Sequence, residues 1–206
     1  VLNSSLIRQT ITYTITPKVW GGLACAGPSV VVVISIDPVP VVSSAATKSI
    51  CSGVSVNYVP TAAVAGTVFN WTSSVTVGTV TGNTAVGGLG TIADVLVNTT
   101  NVIGTVRYVI TPVANGCSGT PFNVDVTVDP QPTLSTVVTP LSQVLCSNTA
   151  MVIDVNSATV PSAGSVVYDY VAVASDVSVT GFTASAINQS LATNISNLNV
   201  LNSSPI

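Results

Sequence analysis

The sequence predicts an all-β protein built from tandem antiparallel β-sandwich units, on three observations. One stretch of text occurs twice. Residues 10–17 read TITYTITP where residues 105–112 read TVRYVITP, and after a turn Val33-Ile34-Ser35-Ile36-Asp37-Pro38 answers Asp125-Val126-Thr127-Val128-Asp129-Pro130. Within each copy, β-branched and aromatic residues alternate with smaller or polar ones, the period of a strand buried on one face. The composition agrees: Val, Thr, Ser, Asn and Gly dominate, 47% of residues are apolar and only 5% are charged, so a core forms easily and charge-driven disorder is excluded.

Residues 1–40 read as the C-terminal half of a sandwich repeat, in which Val1-Leu2-Asn3-Ser4-Ser5 leads into a hairpin. Its turn carries Lys18-Val19-Trp20-Gly21-Gly22-Leu23-Ala24, three residues longer than the matching segment of the second copy. An indole folded back over the hairpin is the plain expectation for Trp20, and a ligand contact is the alternative.

Residues 41–132 read as a complete repeat. Cys51-Ser52-Gly53 opens the strand Val54-Ser55-Val56-Asn57-Tyr58, and Phe69-Asn70-Trp71 places two aromatics on one face of a central strand, with Trp71 in the core. Gly66, Gly78, Gly82 and Gly87-Gly88-Leu89-Gly90 mark turns. No helix-forming segment or Lys-Ser/Thr follows that cluster, so it is no phosphate loop. The strands Val106–Ile110 and Phe122–Val128 flank Asn115-Gly116, which favours the positive backbone angles of a tight turn. Asp129-Pro130 then stops the ladder, because proline lacks an N–H to donate.

Residues 133–206 begin the pattern again as the N-terminal part of a third repeat. Cys146-Ser147-Asn148 answers Cys51-Ser52-Gly53, Tyr168-Asp169-Tyr170 answers Phe69-Asn70-Trp71, and Val200-Leu201-Asn202-Ser203-Ser204 repeats the words of residues 1–5. The third unit lacks its closing hairpin, and the first lacks everything except that hairpin. Unfilled sandwiches expose apolar faces and strand edges. Two solutions follow: either the chain is a window on a long covalent array, or the hairpin of one molecule completes the 133–206 half of another. Val1, with no initiating Met or signal region before it, reads as an internal cut through a longer or processed protein.

The cysteines are expected to staple these units. Cys51 lies early and Cys117 in the final turn of the complete repeat, so the two are predicted to bond, which would stabilise it by about 4 kcal/mol. Cys25 corresponds to Cys117 and Cys146 to Cys51, and each is left to pair outside this stretch or with a neighbouring chain, including through a Cys25–Cys146 bond between copies.

The motifs Cys51-Ser52-Gly53, Phe69-Asn70-Trp71-Thr72, Tyr108-Val109-Ile110-Thr111-Pro112, Asn115-Gly116-Cys117-Ser118-Gly119-Thr120-Pro121 and Val124–Pro130 resemble the PKD-like and immunoglobulin-like repeats of very large surface proteins of Bacteroidota, including gliding-type adhesins. The resemblance implies immunoglobulin-like sandwiches, export to the cell surface by type IX secretion, and a stalk or adhesive filament role. The sequence departs from better-known PKD domains by lacking the Trp-x-Phe-Gly-Asp-Gly motif after the central aromatic strand.

Other functions find little material. The chain holds seven Asp, no Glu and no His, with Lys18, Lys48, Arg8 and Arg107 its only cations and a net charge of −3. Nucleic acid is a poor partner for such a surface. General acid/base chemistry lacks its usual residues, so no enzyme, cofactor or catalytic residue is expected. No paired Cys spacing and no His suggest a metal site. Calcium at the Asp125 and Asp129 strand end is the weaker reading beside a solvated Asp-Pro terminus. The longest apolar run, Val30 to Ile34, is far short of the roughly 20 residues of a spanning helix. Asn-x-Ser/Thr triplets at Asn3, Asn98 and Asn202 recur at equivalent repeat positions, which a turn preference explains as well as glycosylation does. The expected function is a structural repeat segment of an extracellular bacterial filament or giant surface adhesin, partnered by copies of itself or by adjacent repeats. The alternative is an accessory carbohydrate-binding module of a secreted enzyme, with Trp20 as the ligand contact and surface polysaccharide as the partner.

Overall fold

A computed structural model describes residues 1–22, 25–136, 144–191 and 195–202, and all regular structure among them is β-strand. Strands β1 (Gln9–Ile15) and β2 (Val30–Ile36) form an antiparallel hairpin that pairs with no other strand among the described residues. Nine strands follow: β3 (Thr47–Cys51), β4 (Val54–Ser55), β5 (Val68–Val77), β6 (Val80–Thr81), β7 (Gly88–Leu89), β8 (Val95–Asn98), β9 (Gly104–Ala114), β10 (Cys117–Ser118) and β11 (Phe122–Asp129). They make two sheets, one ordered β3-β11-β9-β5-β7 with β10 folded back on β9, the other β4-β8-β6. Beyond them lie β12 (Ser135–Thr136), β13 (Thr149–Ile153), β14 (Val155–Asn156), β15 (Val167–Val171), β16 (Val179–Thr180), β17 (Ser185–Ser190) and β18 (Ile195–Asn202).

One pairing departs from the antiparallel expectation. β3 runs parallel to β11, Thr47 opposite Asp125 and Cys51 opposite Asp129. A parallel neighbour needs a long crossover, and here the whole of the intervening sandwich provides it. The glycine cluster also differs from a bare turn, since Gly88 and Leu89 form the edge strand β7. A side chain at Gly88 would strike the Trp71 indole, so the small residue is required by close packing. As the dipeptide suggests, Asn115 and Gly116 hold φ of 50° and 79° and turn β9 directly into β10.

The alternation read in the sequence becomes the core. Along β9, Val106, Tyr108 and Ile110 point inward and are fully buried, while Thr105, Arg107, Val109 and Thr111 face outward and are half-buried. Val124, Val126 and Val128 of β11 join them from the neighbouring strand. Val56, Ile92 and Leu96 close the core from the second sheet. Trp71 sits in the same cluster, its ring edge-on to Tyr108 with centroids 5.5 Å apart. At about 1.5–3 kcal/mol per fully buried aliphatic side chain, this inner face is the main source of stability in the unit.

Asn98, at the end of β8, ties the two sheets together. Its buried amide donates to the carbonyls of Val102 (2.7 Å) and Val128 (2.9 Å), and its side-chain oxygen accepts from Thr100 N and Oγ (2.9 and 2.8 Å). Asn3 repeats the arrangement in the first unit, donating to Ile7 (2.9 Å) and Ile36 (2.7 Å) and accepting from Ser5 N and Oγ (3.0 and 2.7 Å). The recurrence of Asn at these positions therefore has a structural cause, and both amide nitrogens are committed to backbone. The Asn98→Ala variant, which orphans two carbonyls, is expected to lose about 1–3 kcal/mol of stability in urea unfolding followed by Trp fluorescence.

Candidate functional site

The places to look for function around a β-sandwich are its loop tips and the joints to the segments on either side. The tip of β1–β2 is held straight by a bridge between Lys18 and Ala26, by Val19 N donating to the Cys25 carbonyl (3.0 Å) and by Gly27 N donating to the Pro17 carbonyl (2.9 Å). Beyond this stalk Trp20 is 100% exposed. The expectation of an indole folded back over the hairpin is thus corrected: the added residues carry Trp20 past the end of the ladder, where the two strands offer nothing to pack on.

The joint between β2 and β3 is a short proline segment. Pro38 and Pro40 are buried, and a side chain at Gly119 would overlap the Pro40 carbonyl oxygen, so the β9–β11 turn grips the linker closely. Beside it Arg8 forms a bidentate pair with Asp37, Nε to Oδ1 and Nη2 to Oδ2 both at 2.8 Å. That hydrogen-bonded guanidinium holds the Asp37 carboxyl below the usual range.

The joint after β11 uses the equivalent aspartate differently. Asp129 accepts from the backbone N and hydroxyl of Ser162, at 2.6 and 2.7 Å, and Val160 N donates to the Asn101 carbonyl at 2.7 Å. Ser157 Oγ donates to the Thr133 carbonyl (2.6 Å), and Thr133 N donates to Thr159 Oγ (3.1 Å). The loop of the following unit is thereby pinned to the strand end of the unit before it. Both Asp129 oxygens are spoken for, and among the described residues no group of three or more His, Cys, Asp or Glu is placed to hold a metal ion.

Asp94 and Asp125 are structural as well. Asp94 accepts from Thr84 N (2.8 Å), Thr84 Oγ1 (2.7 Å) and the buried Tyr108 hydroxyl (2.8 Å). Burial, then the bond to Asp94, pushes the Tyr108 hydroxyl far above its ordinary value, so it remains a donor. Asp125 lies opposite Arg107 on the outer face and forms a bidentate pair with it at 2.7 and 2.8 Å. Of these four acids, Asp37 and Asp125 are joined to cations and Asp94 and Asp129 to hydroxyls.

The cysteine expectation requires correction. No disulfide links the described cysteines. Cys51 stands opposite Asp129 at one end of the large sheet, whereas Cys117 stands opposite Ala114 at the other. The full length of β9, 11 residues, separates these ends, roughly 35 Å at about 3.3 Å per residue. A disulfide tolerates a Cα separation of only about 7 Å. The sequence places the two cysteines early and late in the unit, but β3 runs away from the turn, and strand direction decides the distance. Cys25 and Cys146 are exposed.

Fold and site together define a two-sheet β-sandwich fastened to the segments on either side of it by linker prolines and an aspartate clasp. Residues 48–132 match the PKD-like domain family, the span that forms the complete two-sheet sandwich. Comparisons with curated proteins and with solved structures returned no match. No helix among the described residues is long and apolar enough to cross a membrane.

Two outcomes test this geometry. Alkylation of the native, unreduced chain is expected to label both Cys51 and Cys117, read by peptide mass spectrometry, with no Cys51–Cys117 cross-linked peptide. The Arg107–Asp125 pair sets a small acid dependence. Hydrogen bonding to Arg107 lowers the Asp125 carboxyl in the folded state against the opposing effect of desolvation, so its stabilisation is present above the ordinary carboxylate value of about 4. It is lost as pH falls through the lower folded value. For so exposed a pair the expected size is about 0.2–1 kcal/mol, and Asp125→Asn should remove that part of the difference between urea midpoints at neutral and acid pH.

Proposed function

We propose that the chain is a structural repeat segment of an extracellular bacterial filament or giant surface adhesin, with sandwiches set in line. The observation that supports this reading most is the Asp129 clasp on Ser162, which fastens one unit to the next through backbone and side chain together. A mobile linker would leave these groups to water. PKD-like domains fit structural and extracellular repeats and are typically found outside the cell. The low charge and the committed carboxylates support a role in holding shape, with no enzyme activity and no cofactor. Adjacent repeats and further copies are the proposed partners.

Trp20 supports a second reading, an accessory module that binds surface polysaccharide through an exposed aromatic. Glycan-array binding abolished by Trp20→Ala would favour it. The first reading is tested by labelling intact source cells with an antibody to residues 48–132. Labelling of extended material on the outside is the expected result, and labelling only after permeabilisation would overturn the proposal.

A further inference from the structure

The glycine cluster at 87–90 builds the wall of a groove on the outer face of the large sheet. Along β5, Asn70 and Thr72 alternate with the buried Trp71 and Ser73 and are exposed. Asn70 lies opposite Thr111 and Thr72 opposite Val109 in the pairing with β9, and Leu89 of β7 stands opposite Asn70 on the other side. With Val86 these residues line an open groove of about 400 Å³, within the range of about 300–1,000 Å³ typical of small-molecule sites. Its whole lining comes from the complete sandwich.

The wall is kept one backbone thick. A side chain at Gly87 would overlap the Trp71 carbonyl oxygen, and one at Gly88 would meet Cε2 of the indole at 2.9 Å. Cε2 is bonded to Nε1, which is buried without a hydrogen-bond partner, the one such side-chain atom among the described residues. A buried donor left unmet is costly, so an acceptor that reaches it past the glycines is favoured. The groove holds further unspent groups. Among the described residues no hydrogen bond engages the Asn70 amide or the Thr72 and Thr111 hydroxyls, whereas Thr84 and Thr100 spend theirs on Asp94 and Asn98. No charged side chain lines the groove, and Arg107, two residues along β9 from Val109, is already joined to Asp125. Val86 and Leu89, 94% and 73% exposed, add apolar surface beside these polar groups.

We propose that this groove binds a neutral sugar unit of a glycan. A sugar ring presents hydroxyls that both donate and accept beside patches of C–H, and the groove answers with an amide, threonine hydroxyls and aliphatic side chains. Asn70, Thr72 and Thr111 exchange hydrogen bonds with the ring hydroxyls, and Val86 and Leu89 cover a C–H face. A hydroxyl that displaces Gly88 slightly accepts from Trp71 Nε1. An anionic sugar gains no advantage, because the lining offers its charge no cation. The site does not involve Trp20 and does not depend on the filament reading.

The test titrates the full 206-residue chain carrying Trp20→Phe, which leaves Trp71 the single indole, with short oligosaccharides of glucose, galactose, mannose and N-acetylglucosamine. A saturable change in Trp71 emission, with matching heat in calorimetry, is expected for at least one of them. Thr72→Val and Thr111→Val, which remove a hydroxyl and keep the shape, should each weaken that binding by about tenfold. Thr127→Val, on the same outer face but outside the groove, should leave it unchanged. Near-ultraviolet circular dichroism of Trp71 checks that every variant stays folded. The proposal is overturned by no binding to any of these neutral oligosaccharides, by equal affinity for a uronic-acid oligomer, by binding indifferent to both valine variants, or by saturation only with an extended uncharged peptide. Because Trp20 is replaced throughout, failure here leaves the Trp20 reading to its own glycan array, and neither result bears on the labelling of intact cells.

Discussion

Everything in the complete unit leans on the inner face of β9 and β11. Six side chains there are withdrawn from water entirely, and each neighbouring strand finds its place by packing on them or by pairing with their backbone. β5 supplies Trp71 edge-on to Tyr108, β3 pairs with β11, and the second sheet closes over Val106 and Val126. Because burial scales with apolar area, a unit without this face has sheets but no centre.

The polar groups fall into a consistent division of labour around that core. Asn98 and Asn3 spend their amides on backbone carbonyls at the strand ends, where an unmade hydrogen bond would cost most. Asp94 receives the buried hydroxyl of Tyr108. Asp37 and Asp129 occupy the same repeat position and serve two different joints, one closed within its own hairpin through Arg8 and one reaching forward to Ser162.

Much of this was legible before any coordinates. Period-two alternation picked out β9 and β11 and assigned their faces, Asn115-Gly116 located the turn, and Phe69-Asn70-Trp71 located the central aromatic strand, because each depends on local backbone chemistry and on which side chains avoid water. The joints were less legible. Asp129 read as a solvated strand end, and nothing in Ser162 distinguishes it from the many other serines of the chain. The partnership arises only when the loop at 157–162 is brought against a strand end some thirty residues away.

The sequence by itself thus determined the all-β class, the repeat, the core face and the asparagine recurrence, since these follow from side-chain period and from residues with narrow backbone preferences. Only the tertiary structure decided strand direction and what lies at each end of the sheet. Cys51 and Cys117 bracket the unit in sequence. β3 runs parallel, the thiols stand a full strand length apart, and no local pattern encodes that, because the pairing of β3 with β11 is settled by the long crossover between them. Trp20 carries the same lesson on a smaller scale, for whether an indole folds back depends on what the rest of the chain places within its reach.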